Sequence, residues 1–385
     1  MGIKRIITDP IRDLADSGKL SGLLLILATV FSLSLSNSSR GASYLSLWQI
    51  EIGFDFLHES VQHWINDGLM AVFFFLIGLE IKRELTEGEL AQKEKAILPL
   101  LAALGGMIFP ALIFFAFNGG SKEHINGWAI PTATDIAFSL GILSLLGKRA
   151  PVSLKIFLTA LAIIDDLGAI VIIGTFYTSS LNMGMLLLAI LFMAVMFLLN
   201  RFKVQQFGIY LVPALCLWYV ILKSGIHPTI AGVAAAMFIP KKTAHSLELS
   251  LHRPVNYWIL PLFALANTAI PLTFDPSGLF SGLTAGIILG LMIGKPLGIT
   301  FFAWMGVKTG IASLPDGSNW KQMAGTGMLA GIGFTMSIFI AGLAYSHPEV
   351  LDISKLSILA GSTLSALAGL GILYFKNKKG HSQIS

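Results

Sequence analysis

The chain has 385 residues, of which 55% are hydrophobic and only 12% charged, and its formal net charge is +5. Soluble domains carry about a quarter of their residues charged, so the composition excludes a soluble enzyme or binding module and indicates a polytopic membrane protein. The single cysteine, Cys216, lies in an apolar run, excludes a disulfide within the chain and offers no metal-site spacing.

Apolar runs long enough to cross about 30 Å of hydrocarbon recur along the whole length. They fall near 20–36, 62–81, 97–117, 125–146, 151–177, 182–200, 206–222, 225–240, 255–273, 279–305, 323–345 and 356–375, which predicts about twelve transmembrane helices in a single all-α membrane domain over 1–385. The first run, Leu20 to Leu35, carries no small-residue cleavage signature and reads as the first span rather than a signal peptide. The tail from Lys376 to Ser385 reads as disordered.

Nearly all of the 26 Lys and Arg residues sit in the head, the tail and alternate loops, while the other loops hold only Arg40, Lys122, Lys223 and Lys355. By the positive-inside rule both termini are cytoplasmic. The basic balance is thereby accounted for by topology, and it gives no reason to expect a nucleic-acid partner.

One cation remains, Lys295, in the middle of the tenth span. Asp135, Asp165 and Asp166 likewise lie near the middle of apolar runs. A charge at the bilayer centre costs roughly 2.5 to 3.5 kcal/mol on insertion scales, so the adjacent pair Asp165-Asp166 must face water, cations or protons.

Two spans are poorly made as continuous helices. In the fourth, Pro131 removes a backbone donor, and Thr134 with Asp135 would cap a new half-helix. In the eleventh, Gly331 and Gly333 interrupt the run, with Thr335 and Ser337 just beyond. Broken helices at membrane depth are tolerated where the freed backbone lines a cavity or packs in protein. Spans 3 to 5 (97–177) and 10 to 12 (279–375) thus form two three-helix units of opposite orientation, each with a broken middle helix. That pattern predicts an inverted-repeat transporter whose helices 4 and 11 cross at the midplane, with Asp135 and Lys295 balancing the half-helix ends. The remaining helices serve as interface and scaffold. Between spans 1 and 2, the segment 37–60 contains Ser46 to Phe56, whose alternation of apolar and polar residues suits a strand or hairpin at the outer surface.

Asp165, Asp166 and Thr134 could supply oxygen ligands to a hard cation. Adjacent helix positions diverge by about 100°, so the two carboxylates do different work: one binds the cation while the other meets a basic partner, for which Lys295 is the only deep base in the sequence. Proton and cation then exclude one another at a site exposed alternately to each side, which suffices for antiport. The apolar-run residue His227, before Pro228, reads as structural or interfacial, and Glu80, Arg83 and Glu84 at the end of span 2 read as an interfacial charge cluster able to sense pH. An intramembrane aspartyl protease is disfavoured, because no Gly-Xaa-Gly-Asp sequence occurs. A cation channel is disfavoured because two dissimilar broken helices in one chain suit alternating access better than a symmetric pore.

The sequence resembles the bacterial NhaA-type sodium/proton antiporters across nearly its whole length. The resemblance is carried by the segments beginning at Asn66-Asp67, Gly78-Leu-Glu80, Pro131-Thr-Ala-Thr134-Asp135, Ala162-Ile-Ile-Asp165-Asp166, Ser224-Gly-Ile-His227, Gly294-Lys295-Pro296 and Gly331-Ile-Gly-Phe-Thr335. It implies a cytoplasmic-membrane protein of the bacterial inner membrane, in contact with the lipid bilayer, that exports Na+ or Li+ for a larger number of H+, electrogenically and without a cofactor. Asp165 and Asp166 would be the cation and proton carriers, Thr134 a cation ligand, and Asp135 and Lys295 the partners of the crossed half-helices, with Lys295 paired to Asp165; on that pattern Asp166 coordinates the cation with Thr134, and Asp165 exchanges a proton against the Lys295 contact. The resemblance further implies a homodimer through residues 45–57 and a pH sensor at Glu80, Arg83, Glu84, Glu248 and His252. The loop from Lys241 to His252 is shorter and poorer in charge than the family's pattern, a departure that touches the pH threshold and not the transport site.

Overall fold

In the computed structural model the described residues are 19–55, 57–178, 181–272 and 280–375. The predicted disordered tail and the basic head residues Lys4, Arg5 and Arg12 lie outside them. The described chain is mostly helical, with one two-stranded hairpin. Seven helices among the described residues are long and apolar enough to cross a membrane, or up to nine if each of two bent pairs is one span. Phe207–Leu222 and Thr229–Phe238, both predicted as spans, are apolar but shorter.

In chain order the helices are α1 (Lys19–Ser36), α2 (Gly41–Trp48), α3 (Val61–Thr86), α4 (Lys93–Asn118), α5 (Ile136–Leu145), α6 (Val152–Phe176), α7 (Met183–Arg201), α8 (Phe207–Leu222) and α9 (Thr229–Phe238). They continue as α10 (Lys241–Pro254), α11 (Leu260–Asn267), α12 (Gly282–Lys308), α13 (Trp320–Ala330), α14 (Phe334–Ala344) and α15 (Pro348–Phe375). Polar side chains start several of them as the pattern of caps requires. Ser60, Asn182 and Ser281 accept backbone N–H bonds at the starts of α3, α7 and α12, and Asn319 with Gln322 forms a capping box at α13.

The structure divides into two compact units: the described part of Met1–Leu27 with Gln92–Asp166 and Leu272–Ser385, and Ala28–Ala91 with Leu167–Pro271. In the first unit α4 and α12 approach closely through small residues. A methyl group on Gly298 would stand 2.0 Å from the Gly105 carbonyl oxygen, and one on Gly105 would stand 2.2 Å from the Gly298 carbonyl oxygen. Only glycine allows backbones this near, the small-residue packing common between membrane helices. In the second unit Met196, Tyr210, Leu217 and Ala235 anchor an apolar core among α3, α7, α8 and α9.

Two local expectations change. Residues 46–48, read as strand, end the helix α2, and the hairpin is Glu51–Phe54 against Leu57–Ser60, paired antiparallel from Glu51↔Ser60 to Phe54↔Leu57. The segment from Lys241 to His252, read as a loop, is helical, because Ala244, Leu247, Glu248 and Leu251 recur at helical spacing and turn toward protein.

Candidate functional site

The predicted site residues of the membrane interior all belong to the first unit, and the two broken spans position them. The first half of the fourth span, Ile125–Thr132, is a 3-10 helix containing Pro131. Ala133 leaves it in extended conformation, and α5 starts after Asp135. In the eleventh span α13 stops at Ala330 and α14 begins at Phe334, with a bend of 46°. The cap on α5 is Asp135 alone, whereas the sequence suggested Thr134 and Asp135 jointly.

The two breaks are joined by hydrogen bonds. Asp135 N–H donates to the Ile332 carbonyl at 2.7 Å, and Thr134 Oγ1 lies 2.9 Å from the Ala330 carbonyl oxygen. Ser337 Oγ donates to the Ile130 carbonyl at 2.7 Å, and Phe334 N–H donates to Ser362 Oγ at 3.1 Å. These bonds satisfy backbone groups that the interruptions would otherwise leave unpaired away from water.

Charges sit where the half-helix ends call for them. Asp135, 2% exposed, accepts from Phe138 N–H at 2.9 Å and from both the N–H, at 3.1 Å, and the hydroxyl of Thr335. One carboxylate therefore meets the partly positive N-terminal ends of both α5 and α14. Lys295 is fully buried and donates from Nζ to the Thr132 carbonyl at the C-terminal end of the 3-10 half-helix. Ahead of it, Gly290–Gly294 forms a π-helical turn, a distortion that is frequent at functional sites.

Asp165 and Asp166 lie in α6, each 2% exposed. Lys295 Nζ stands 2.8 Å from Asp165 Oδ2, and Thr134 Oγ1 donates to the same oxygen at 2.7 Å. The structure thus brings Thr134, Asp165 and Lys295 together, whereas the sequence reading assigns Thr134 to Asp166. Asp165 Oδ1 is buried with no hydrogen-bond partner among the described residues. Such an oxygen is costly to leave unused and suits a cation.

Sequence reasoning did not assign a role to Thr335, although the residue stands in the interrupted stretch it singled out. Nor did it find Ser362, which lies in a regular helix and offers no signal of its own.

A second cluster lies in the second unit, between α3 and α10. Arg83 Nη1 is 2.7 Å from Glu84 Oε1, and Arg83 Nε is 2.8 Å from Glu248 Oε1. His252 Nε2 stands 3.5 Å from Glu80 Oε1 and 3.8 Å from Glu248 Oε1. All five residues that the resemblance names are thereby in one network. Burial pushes the Glu248 carboxyl up, but hydrogen bonds from His252 and Arg83 outweigh it and hold the group below its usual range. The hydrogen bond to Glu248 raises the His252 imidazole, against the effect of partial burial and with the help of Glu80. In the same unit His227 contacts Thr229 Oγ1 at 2.9 Å through Nδ1 and Asp67 Oδ1 at 3.5 Å through Nε2.

The profile of the family described as Na+/H+ antiporter 1 matches residues 12–373. A Na(+)/H(+) antiporter NhaA of Vibrio alginolyticus is 50% identical over 381 residues, covering 96% of this chain and 98% of its own length. The protein named Na(+)/H(+) antiporter NhaA 1 of Flavobacterium johnsoniae is 48% identical over 367 residues, covering 94% of this chain and 95% of its own. With that profile spanning nearly all of its length, and with relatives this similar from end to end, the chain belongs to the Na+/H+ antiporter 1 family.

Proposed function

We propose that this chain is a secondary antiporter, not an enzyme, that exports Na+ or Li+ in exchange for a larger number of H+ at Asp165, Asp166 and Thr134. The observation that carries the reading is the buried Asp165 carboxylate. It is held by Lys295 and Thr134 through one oxygen, has the other unpartnered among the described residues, and stands next to a second buried carboxylate. The names of the relatives supply Na+ and H+. Two adjacent buried carboxylates require positive charge nearby. An alkali cation and protons are interchangeable sources of it, so binding of one releases the other. Exchange of more protons than cations makes the cycle electrogenic. Lys295 contributes by leaving Asp165 when the cation arrives.

Asp135 and Lys295 act as charge compensation for half-helices that cross at the midplane. The bonds between the two breaks support an inverted repeat of 97–177 and 279–375. Alternating access by these elements, in about twelve spans with both termini on the cytoplasmic side of the inner membrane, completes the reading. Exposed Ile52 and Phe54 support a homodimer contact through 45–57. The cluster of Glu80, Arg83, Glu84, Glu248 and His252 sets the pH response.

The test is exchange in everted membrane vesicles. Asp165→Asn and Asp166→Asn should each abolish Na+- and Li+-dependent proton movement in protein that is inserted at normal levels. Robust exchange by either variant overturns the site assignment, and cation flux without a counter-ion would mark a channel instead.

A further inference from the structure

The charge cluster between α3 and α10 contains a donor set that ion pairing alone does not use up. Glu248 and His252 stand one turn apart on α10, at the i, i+4 spacing that turns two side chains to one face. Glu80 of α3 faces them. One oxygen from each glutamate and one ring nitrogen of His252 lie within 4.8 Å of one another. His252 Nε2 is 3.5 Å from Glu80 Oε1 and 3.8 Å from Glu248 Oε1. Ligands held at about 2.1 Å around a tetrahedral Zn2+ stand roughly 3.4 Å apart, so these side chains reach such an ion with small movements.

The surroundings favour an ion over a plain salt bridge. The Glu80 side chain is only 13% exposed, yet it makes no hydrogen bond among the described residues, and 3.5 Å to His252 is long for one. A largely buried carboxylate in that condition is costly. Glu248 is buried and held by Arg83 Nε at 2.8 Å, the kind of hydrogen bond that orients a ligating carboxylate. The carboxylates of Glu80, Glu84 and Glu248 share the single guanidinium of Arg83, so with a neutral imidazole two negative charges remain for a divalent ion to balance. The His252 side chain, 39% exposed, gives the ion a way in.

We propose that Glu80, Glu248 and His252 bind a divalent transition-metal ion of the Zn2+ class, and that the bound ion slows exchange by pinning α10 to α3. An imidazole and two carboxylates, with a position left to water, suit an open zinc site. Ca2+ asks for six to eight oxygens, which these residues do not offer. His252 coordinates only as the neutral imidazole, so the ion takes the place of its proton. The binding stands on these three side chains alone. The slowing of exchange rests on the antiport reading given above.

The full chain, purified and stripped with a chelator, is titrated with Zn2+ in a calorimeter and followed by thermal unfolding. One Zn2+ per chain should bind and raise the unfolding temperature. Glu80→Gln and His252→Gln should each weaken binding at least about tenfold. His58→Gln, which breaks a two-residue histidine–glutamate pair on the hairpin, should bind as the parent does. No binding by the parent, or undiminished binding by both Glu80→Gln and His252→Gln, overturns the site. Should those variants fail to insert, His252→Cys keeps a zinc ligand, and Co2+ should then give a thiolate charge-transfer band that the parent lacks; a missing band overturns the site as well. In everted vesicles saturating Zn2+ should slow Na+-dependent proton movement by about fivefold or more, and a chelator should restore it. Equal rates with and without bound Zn2+ overturn the regulatory claim. No exchange by the parent under any condition refutes the antiport reading and not the binding.

Discussion

Lys295 and Asp165 are bound to one another by the cost of leaving either alone. Removing one member of a buried pair typically costs about 3 to 5 kcal/mol, because the other stays charged without compensation. Lys295→Ala should therefore lower the thermal stability of the purified protein more than Lys295→Ala combined with Asp165→Ala, and unfolding curves of the two single variants and the double variant check it. Asp135→Ala removes the acceptor for Phe138 N–H, Thr335 N–H and the Thr335 hydroxyl. Each buried donor left unsatisfied costs about 1 to 3 kcal/mol, so this variant should unfold at distinctly lower temperature, while Asp135→Asn, which keeps an acceptor, should lose less. The four deep charges were legible in the sequence because each is expensive in an apolar run whatever surrounds it. Thr335 was not, since a hydroxyl in a membrane helix is cheap and its partner carboxylate lies 200 positions away.

Among the elements, the broken spans were visible from Pro131 and from Gly331 and Gly333, residues that interrupt helices by their own covalent nature. The 3-10 form of Ile125–Thr132 was not visible, because nothing in its composition separates a tight turn from a regular one. The helix α10 was also missed, since in so short a polar stretch charge is conspicuous and the apolar spacing is not. The contact of α4 with α12 leads to a further expectation. Gly298→Ala would put a methyl group 2.0 Å from the Gly105 carbonyl and force the helices apart. Overpacking of this kind costs about 1 to 3 kcal/mol. Gly342→Ala, where nothing lies within 4 Å, is the matched control and should melt as the parent does.

For the whole molecule, the proposed pH response follows from the charges around His252. The His252 imidazole is raised above 6.5, chiefly by its hydrogen bond to Glu248, so the charged pair contributes fully below about 6.5 and is lost as pH rises through the raised value. Glu248 is held below 4.5, and its contribution is present above that and lost only as pH falls through the lowered value. Alkaline pH therefore acts on His252, which faces Glu80, Arg83 and Glu248, and not on Glu248. Exchange should rise as His252 loses its proton. His252→Gln should move the onset of activity toward lower pH and flatten its slope, and Glu248→Gln should shift the His252 titration toward 6.5; rates of Na+-dependent proton movement across a pH series check both. The sequence by itself determined that this is a membrane protein with two interrupted spans and four deep charges, because the cost of burying a charge and the helix-breaking nature of proline and glycine act locally. Only the tertiary structure decided that Thr134 and Lys295 share one oxygen of Asp165, that Asp135 serves two half-helices, and that Ser362 meets the start of α14. Those partnerships depend on the angle and depth at which distant segments pack, which residue types along a chain do not encode one at a time.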